Sequence, residues 1–256
     1  MLLPIGDDNQ GRLSTPYVVY IIVAINVAVF LVQLSDDRFT LAYSAVPYKL
    51  THNVTTVPPG FRGALPPGIE ADPRVASGLV PVRGIPQEPG PAFIWLTLLT
   101  SMFMHGGFMH IGGNMLYLWI FGDNIEDNFG HGKFLIFYLV CGFAASLAQI
   151  FVDPNSPIPS LGASGAIAGV LGAYLILFPR NRVRNLVFLG FFFTTIELPA
   201  VVVLGFWIVL QIFSQYTATY QHASGGVAYM AHIGGFATGL VLCFLFRTRQ
   251  RPSYYG

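Results

Sequence analysis

Six apolar stretches, each near the length that carries a helix across a bilayer, dominate this chain and leave few folds open to it. They run over residues 17 to 35, 108 to 126, 133 to 152, 162 to 178, 199 to 216 and 230 to 246, and a hydrocarbon layer takes about 20 residues to cross. Charged residues are 10% of the chain and hydrophobic residues 54%, where a soluble domain carries roughly 25% charged residues. Lipid offers the backbone no hydrogen bonds, so such stretches are expected as helices that satisfy their own N–H and C=O groups. The expected fold is an all-α membrane protein, six spanning helices in one compact bundle.

The organisation that follows is an N-terminal segment (1–16), a membrane domain (17–246) that includes a long irregular first outer loop (36–94), and a basic tail (247–256). The first stretch is not expected to be a cleaved leader. Arg12 stands against Asp7 and Asp8, and no small-residue cleavage site follows Leu34. Residues 186 to 196 are apolar yet run into Glu197 and Pro199, poor guests in a spanning helix. They are expected at the inner interface, with the fifth helix starting near Pro199; one long tilted or kinked helix is the alternative.

Cations set the orientation. With the N-terminus inside, the short inner loops and tail hold His131 and Lys133, then Arg180, Arg182 and Arg184, then Arg247, Arg249 and Arg251, while the short outer loops near Asp153 and over 220 to 229 have no Lys or Arg. Cytoplasmic loops gather such residues, so both termini are expected in the cytoplasm. The first outer loop carries Arg38, Lys49, Arg62, Arg74 and Arg83 interspersed with Asp36, Asp37, Glu70, Asp72 and Glu88, and long translocated loops obey the charge rule weakly. Its residues 47 to 91 are dense in Pro and Gly, which predicts an irregular excursion, partly ordered against the bundle. A net charge of +1 and the lack of a Gly-rich phosphate loop or a Cys cluster give no sign of a nucleic-acid partner or a soluble cofactor. Cys141 and Cys243 lie inside apolar stretches and are expected as packing residues.

In this topology the second, fourth and sixth helices run in the same direction, and His110, Ser164 and His232 each fall within the first few residues of one of them. At about 1.5 Å per residue the three share one depth below the outer surface. Gly165 and Gly169 are four apart, as are Gly235 and Gly239, which gives two helices flat faces that let backbones approach closely. A serine hydroxyl is a weak nucleophile until a base takes its proton, and His suits that task near neutral pH. No Asp or Glu lies near the outer ends of those helices apart from Asp153 in a loop, so the expectation is a Ser164–His232 dyad, its imidazole oriented by packing. His110 and Asn114, four apart on one helical face, are the expected donors to an oxyanion, with the backbone N–H of Ser164 joining them. Interhelical polar packing is the competing role for Asn114.

The run His105-Gly106-Gly107-Phe108-Met109-His110-Ile111-Gly112-Gly113-Asn114-Met115, then Gly162-Ala163-Ser164-Gly165, then Ala231-His232-Ile233-Gly234-Gly235-Phe236-Ala237-Thr238-Gly239 resembles the rhomboid family of intramembrane serine proteases. The order, spacing and topology are similar to a six-helix bacterial-type member over about residues 17 to 246. The resemblance implies cleavage of transmembrane segments of other membrane proteins near the outer face, in a bacterial-type inner membrane, with no metal and no cofactor. It implies Ser164 as nucleophile, His232 as general base and acid, and His110 and Asn114 as oxyanion donors. It also implies that His105 anchors the first outer loop, and that the bundle opens outward as a hydrophilic cavity gated by the fifth helix and a capping loop.

Two departures stand out. Trp95-Leu96-Thr97 replaces a Trp-Arg pair of many relatives, and Ala168 stands where several place an aromatic against the catalytic His, which leaves the His232 ring short of support. Glu126, at the inner end of the second helix, is expected as a structural hydrogen-bonding residue. Two other functions compete: an inactive rhomboid-like protein that binds membrane clients, and a metalloprotease or metal transporter using His105, His110 and His232. The second lacks a His-Glu-x-x-His stretch and further ligands.

Overall fold

The computed structural model describes residues 2–9, 11–57, 88–189, 192–221 and 227–247. In chain order it has strand β1 (Leu2–Asp7), helices α1 (Tyr17–Ser35), α2 (Asp37–Tyr43) and α3 (Pro47–Thr51), and a run of mixed helical turns α4 (Ile94–Phe103). Helices α5 (Phe108–Phe129), α6 (His131–Val152) and α7 (Ser164–Leu177) follow, then strands β2 (Arg182–Leu189) and β3 (Phe192–Pro199), and finally α8 (Ala200–Gln221) and α9 (Tyr229–Phe246).

The helical membrane bundle expected from the apolar pattern is present: α1 and α5 to α9 coincide with the six apolar stretches. Four of them, Tyr17–Ser35, His131–Val152, Ala200–Ala218 and Tyr229–Phe246, are long and apolar enough to cross a membrane. Their outward residues are large and apolar, such as Ile21 and Leu31 on α1 and Phe206, Val209 and Phe213 on α8. This is the surface that hydrocarbon accepts and water does not. Helix α7, 14 residues long, rises about 21 Å. It sits at the centre of the bundle, its residues from Gly165 to Tyr174 all buried.

Two neighbours meet α7 through small residues. A methyl added to Gly235 or Gly239 of α9 would run into the carbonyl oxygens of Gly165 and Gly169, and one added to Gly172 would strike the carbonyl of Phe236. On its other flank, the α7 glycines face Ala145 and Cys141 of α6. Lipid supplies no hydrophobic drive between helices, so this approach of backbones is what holds α7, α6 and α9 together.

The end of the bundle away from Ser164 is held by polar groups. Pro16 gives α1 no side-chain cap. Instead the N–H groups of Val18 and Val19 donate to Glu126 Oε1 and Oε2 at 2.9 and 2.8 Å, so a fully buried carboxylate of α5 caps the positive end of α1. His131 Nδ1 lies 2.5 Å from Glu126 Oε1. Asp127 Oδ1 accepts from the N–H groups of Leu13 and Ser14 and from Ser14 Oγ, and Arg12 pairs with Asp123. Asn124 Nδ2 and the Tyr174 hydroxyl both donate to Asp7 Oδ2. Glu126 thus has a structural hydrogen-bonding place, and it belongs to a larger cluster.

Beside the bundle lies a three-stranded antiparallel sheet, β1-β2-β3, which the sequence reading did not anticipate. The described part of residues 186 to 196 is not an extension of the fifth helix: it lies in strands β2 and β3, which pair from Arg182 opposite Pro199 to Leu189 opposite Phe192, and α8 begins directly after Pro199, where the fifth helix is expected to start. Strand β1 pairs with the other edge of β2, with an irregularity between Pro4 and Gly6, where a proline can sit only because that side is an edge.

The long loop between α1 and α5 is partly helical. Helices α2 and α3 fall in it, and Ala45 and Ser160 exchange N–H···O bonds of 3.1 and 2.7 Å, which ties it to the loop before Ser164. Lys49 Nζ donates to the Glu88 carbonyl at 2.6 Å. Residues 58 to 87, much of the Pro/Gly-rich stretch, lie outside the described residues, as do 222 to 226 between α8 and α9 and 248 to 256 of the basic tail.

Two outcomes follow from these contacts. Gly239→Ala is expected to destabilise the bundle by about 1–3 kcal/mol or more, since the new methyl meets backbone that cannot rotate away. Gly132→Ala, with nothing within 4 Å, is expected to leave the unfolding midpoint in detergent no lower than wild type; equal losses in the two variants would contradict the packing. The second outcome concerns Asp7, whose carboxyl burial raises to about 7 from 3.8, with the Tyr174 hydrogen bond opposing the rise and Asp123 adding to it. The folded chain then holds a proton that the unfolded chain has lost between about pH 4 and 7, so stability is full below that window, falls across it and levels off above. Asp7→Asn is expected to flatten that fall in the unfolding midpoint, and an unchanged slope would contradict it.

Candidate active site

Ser164 is the first residue of α7, where the N–H groups have no carbonyl one turn earlier to bond and the helix dipole is positive. The chain reaches it through Gly162 at φ +130°, a conformation that side chains rarely adopt. The Gly162 N–H donates to the Ser101 carbonyl at 2.9 Å. A methyl on Gly162 would stand 2.8 Å from His110 Nε2 and 3.6 Å from Ser164 Oγ, so this glycine leaves room for His110 to lie against the loop beside the serine.

His232 lies in the first turn of α9. Its register is set by Gln149 of α6, whose Oε1 accepts from the N–H of the preceding residue, Ala231, at 3.3 Å. With Gly235 against Gly165, the imidazole reaches the serine: His232 Nε2 and Ser164 Oγ are 2.8 Å apart, both half-buried. On the other side of the ring, Nδ1 lies 2.8 Å from Gln211 Oε1 of α8. Trp207 packs on the imidazole at 5.9 Å between ring centroids, tilted by 37°, and Tyr229 meets it edge-on at 6.5 Å. The aromatic support that Ala168 does not give therefore comes from α8 and α9.

His110 is the third residue of α5. Its Nδ1 accepts from the Gly106 N–H at 3.2 Å, which leaves Nε2 to carry the proton on the side of Gly162. Asn114, one turn further on, is buried, and its Nδ2 has no hydrogen-bond partner. A buried amide donor without an acceptor is costly. His105 packs edge-on against His110 at 5.1 Å. Its main chain is tied to α1, where the His105 N–H donates to Gln33 Oε1 and Gln33 Nε2 donates to the His105 carbonyl.

A cavity of about 20 Å³ adjoins the hydroxyl, lined among others by Ser101, Ser146, Ser160, Gly162 and Ser164. That is room for one water among polar partners. Among the described residues no three His, Cys, Asp or Glu side chains gather as a metal site would need.

All four residues singled out in the sequence, Ser164, His232, His110 and Asn114, fall at one end of the bundle, and the first two touch. The sequence reading missed Gln211, Trp207, Gln149 and Gln33. Each of the glutamines is a polar residue inside an apolar helix, which is the available signal, but nothing local says what it faces.

Comparison with known proteins shows the family. The rhomboid domain family model matches residues 92–249. The rhomboid protease GluP of Bacillus subtilis is 41% identical over 112 residues, which are 44% of this chain and 21% of that protein. Rhomboid protein 1, mitochondrial, of Saccharomyces cerevisiae is 32% identical over 151 residues, 57% of this chain and 40% of that one. RHOMBOID-like protein 4 of Arabidopsis thaliana is 34% identical over 164 residues, 61% and 35% respectively. The chain thus spans between about a fifth and two fifths of the length of these relatives.

Proposed function

Because this chain belongs to the rhomboid family, we propose that it is an intramembrane serine endopeptidase that cleaves transmembrane segments of other membrane proteins. The observation that carries the reading is the 2.8 Å separation of Ser164 Oγ from His232 Nε2, the geometry in which an imidazole takes the proton of an attacking hydroxyl. Ser164 attacks the scissile carbonyl while His232 Nε2 accepts its proton. The carbonyl oxygen becomes an oxyanion that accepts from Asn114 Nδ2, from His110 Nε2 and from the N–H of Ser164. His232 then gives the proton to the leaving amine, and an ester to Ser164 remains. Water, activated by the same imidazole, hydrolyses the ester and restores the hydroxyl. The small cavity beside Ser164 has space for one water.

The protein is an integral membrane protein, and we place it in a bacterial-type inner membrane with both termini in the cytoplasm. The support is the charge pattern: Lys133, Arg180, Arg182, Arg184 and Arg247 border one side of the bundle, and the short loops of the other side have no Lys or Arg. On this reading the Ser164 end faces outward.

Detergent-solubilised protein given a transmembrane model substrate is expected to cut it equally well with and without a metal chelator, and Ser164→Ala and His232→Ala are each expected to abolish the cut. Cleavage that survives Ser164→Ala, or that stops in chelator, contradicts the reading. Substrate that co-purifies intact with the wild type supports a non-catalytic, client-binding role instead. Asn114→Ala is expected to lower kcat by about 100-fold, the worth of one oxyanion donor, with no loss of thermal stability because its Nδ2 bonds nothing in the resting protein. An unchanged rate would reduce Asn114 to packing.

A further inference from the structure

We propose that Gln211 of α8 is the positioning residue for His232, a third partner in what the sequence presents as a two-residue site. The inference rests on the serine-protease reading above. Gln211 Oε1 faces His232 Nδ1 at 2.8 Å, on the opposite side of the ring from Ser164. A neutral imidazole has one N–H and one lone pair. An acceptor at Nδ1 therefore keeps the proton there and leaves the Nε2 lone pair for the serine hydroxyl. When Nε2 takes up the serine proton, the ring becomes a cation and the Nδ1–H···O bond becomes charge-assisted, so Gln211 holds the charged ring more tightly than the neutral one. A bond that strengthens as charge develops lowers the barrier as well as fixing the ring.

The surroundings of Gln211 agree with this role. Between Ala200 and Phe213 the other residues of α8 are apolar, with Val201, Phe206, Val209, Ile212 and Phe213 exposed, and an amide inside such a stretch is unfavourable without a partner. Trp207 stands four residues earlier on the same face and packs on both His232 and Phe236, at 5.9 and 6.0 Å. The imidazole is thus held in its plane by an amide and over its face by an indole, both from α8. A neutral amide also orients the ring without bringing a second charge into a water-poor site, where a carboxylate would carry a desolvation penalty. The competence of the dyad then depends on where α8 stands.

The test uses the full chain and its cleavage of a transmembrane model substrate. Gln211→Leu and Gln211→Ala are expected to lower kcat by about 10- to 100-fold, the worth of a hydrogen bond to a group that becomes charged, with KM within about 2-fold and the unfolding midpoint unchanged. Gln211→Glu, whose carboxylate accepts at the same reach but carries that desolvation penalty, is expected to recover part of the kcat lost in Gln211→Ala. Wild-type kcat in both the Leu and Ala variants, while His232→Ala abolishes cleavage, overturns the Gln211 assignment and leaves the protease reading intact. A kcat loss that follows a falling unfolding midpoint and is not recovered by Glu overturns it as well, as a purely structural role. Wild-type protein that does not cleave, or whose cleavage is indifferent to His232→Ala, fails the protease reading first and takes the Gln211 assignment with it.

Discussion

Two helices in hydrocarbon approach only as far as their side chains let them, because the lipid around them is as apolar as they are and gives no reward for burying more. In this chain the limit is set at Gly235 and Gly239, whose α-carbons lie so near the carbonyls of Gly165 and Gly169 that no methyl fits. Ser164 and His232 stand one turn or less from this contact, and their separation is a direct reading of how close the backbones come. Any side chain at the seam pushes the imidazole away from the hydroxyl. Packing and chemistry are therefore one problem here, since the same small residues that hold the central helix in place also bring the reacting groups together.

The polar groups of the bundle divide into two sets with different tasks. At one end Glu126, Asp127, Asp123 and Asn124 of α5 bind the backbone and side chains of the N-terminal segment, and Glu126 caps α1. These groups are well supplied with partners and act as fasteners. At the other end Ser164, His232, His110 and Asn114 stand around the start of α7, and one of them, Asn114, keeps a buried donor unbonded. An unbonded donor at that end fits the oxyanion role proposed for Asn114.

Much of this was legible in the amino-acid sequence. The six long helices follow from runs of apolar residues, because hydrocarbon forces each run to satisfy its own backbone. The shared depth of His110, Ser164 and His232 follows from the direction of alternate helices. The sheet was not legible: β1 contains Pro4 and Gly6, both poor strand formers, and its pairing with β2 joins residues about 180 apart in the chain, which no local pattern encodes. Residues 186 to 196 lack the polar/apolar alternation of a half-buried strand, so no period marked them as strands. The glutamines escaped for another reason. Gln33, Gln149 and Gln211 are polar residues in largely apolar helices, and their partners, a loop backbone, a helix start and an imidazole, are fixed only by tertiary packing. Ala168 pointed to missing support for His232, and the sequence could not say that Trp207 and Gln211 of another helix supply it.

The central claim is that an imidazole from one membrane helix activates an alcohol from another. The most direct measurement is the mass-spectrometric reaction of the detergent-solubilised protein with a fluorophosphonate, which attacks activated serines and needs no knowledge of the substrate. The account predicts a single adduct on Ser164 in the wild type and none in His232→Ala. Labelling of Ser164 at the same rate in both proteins would contradict it.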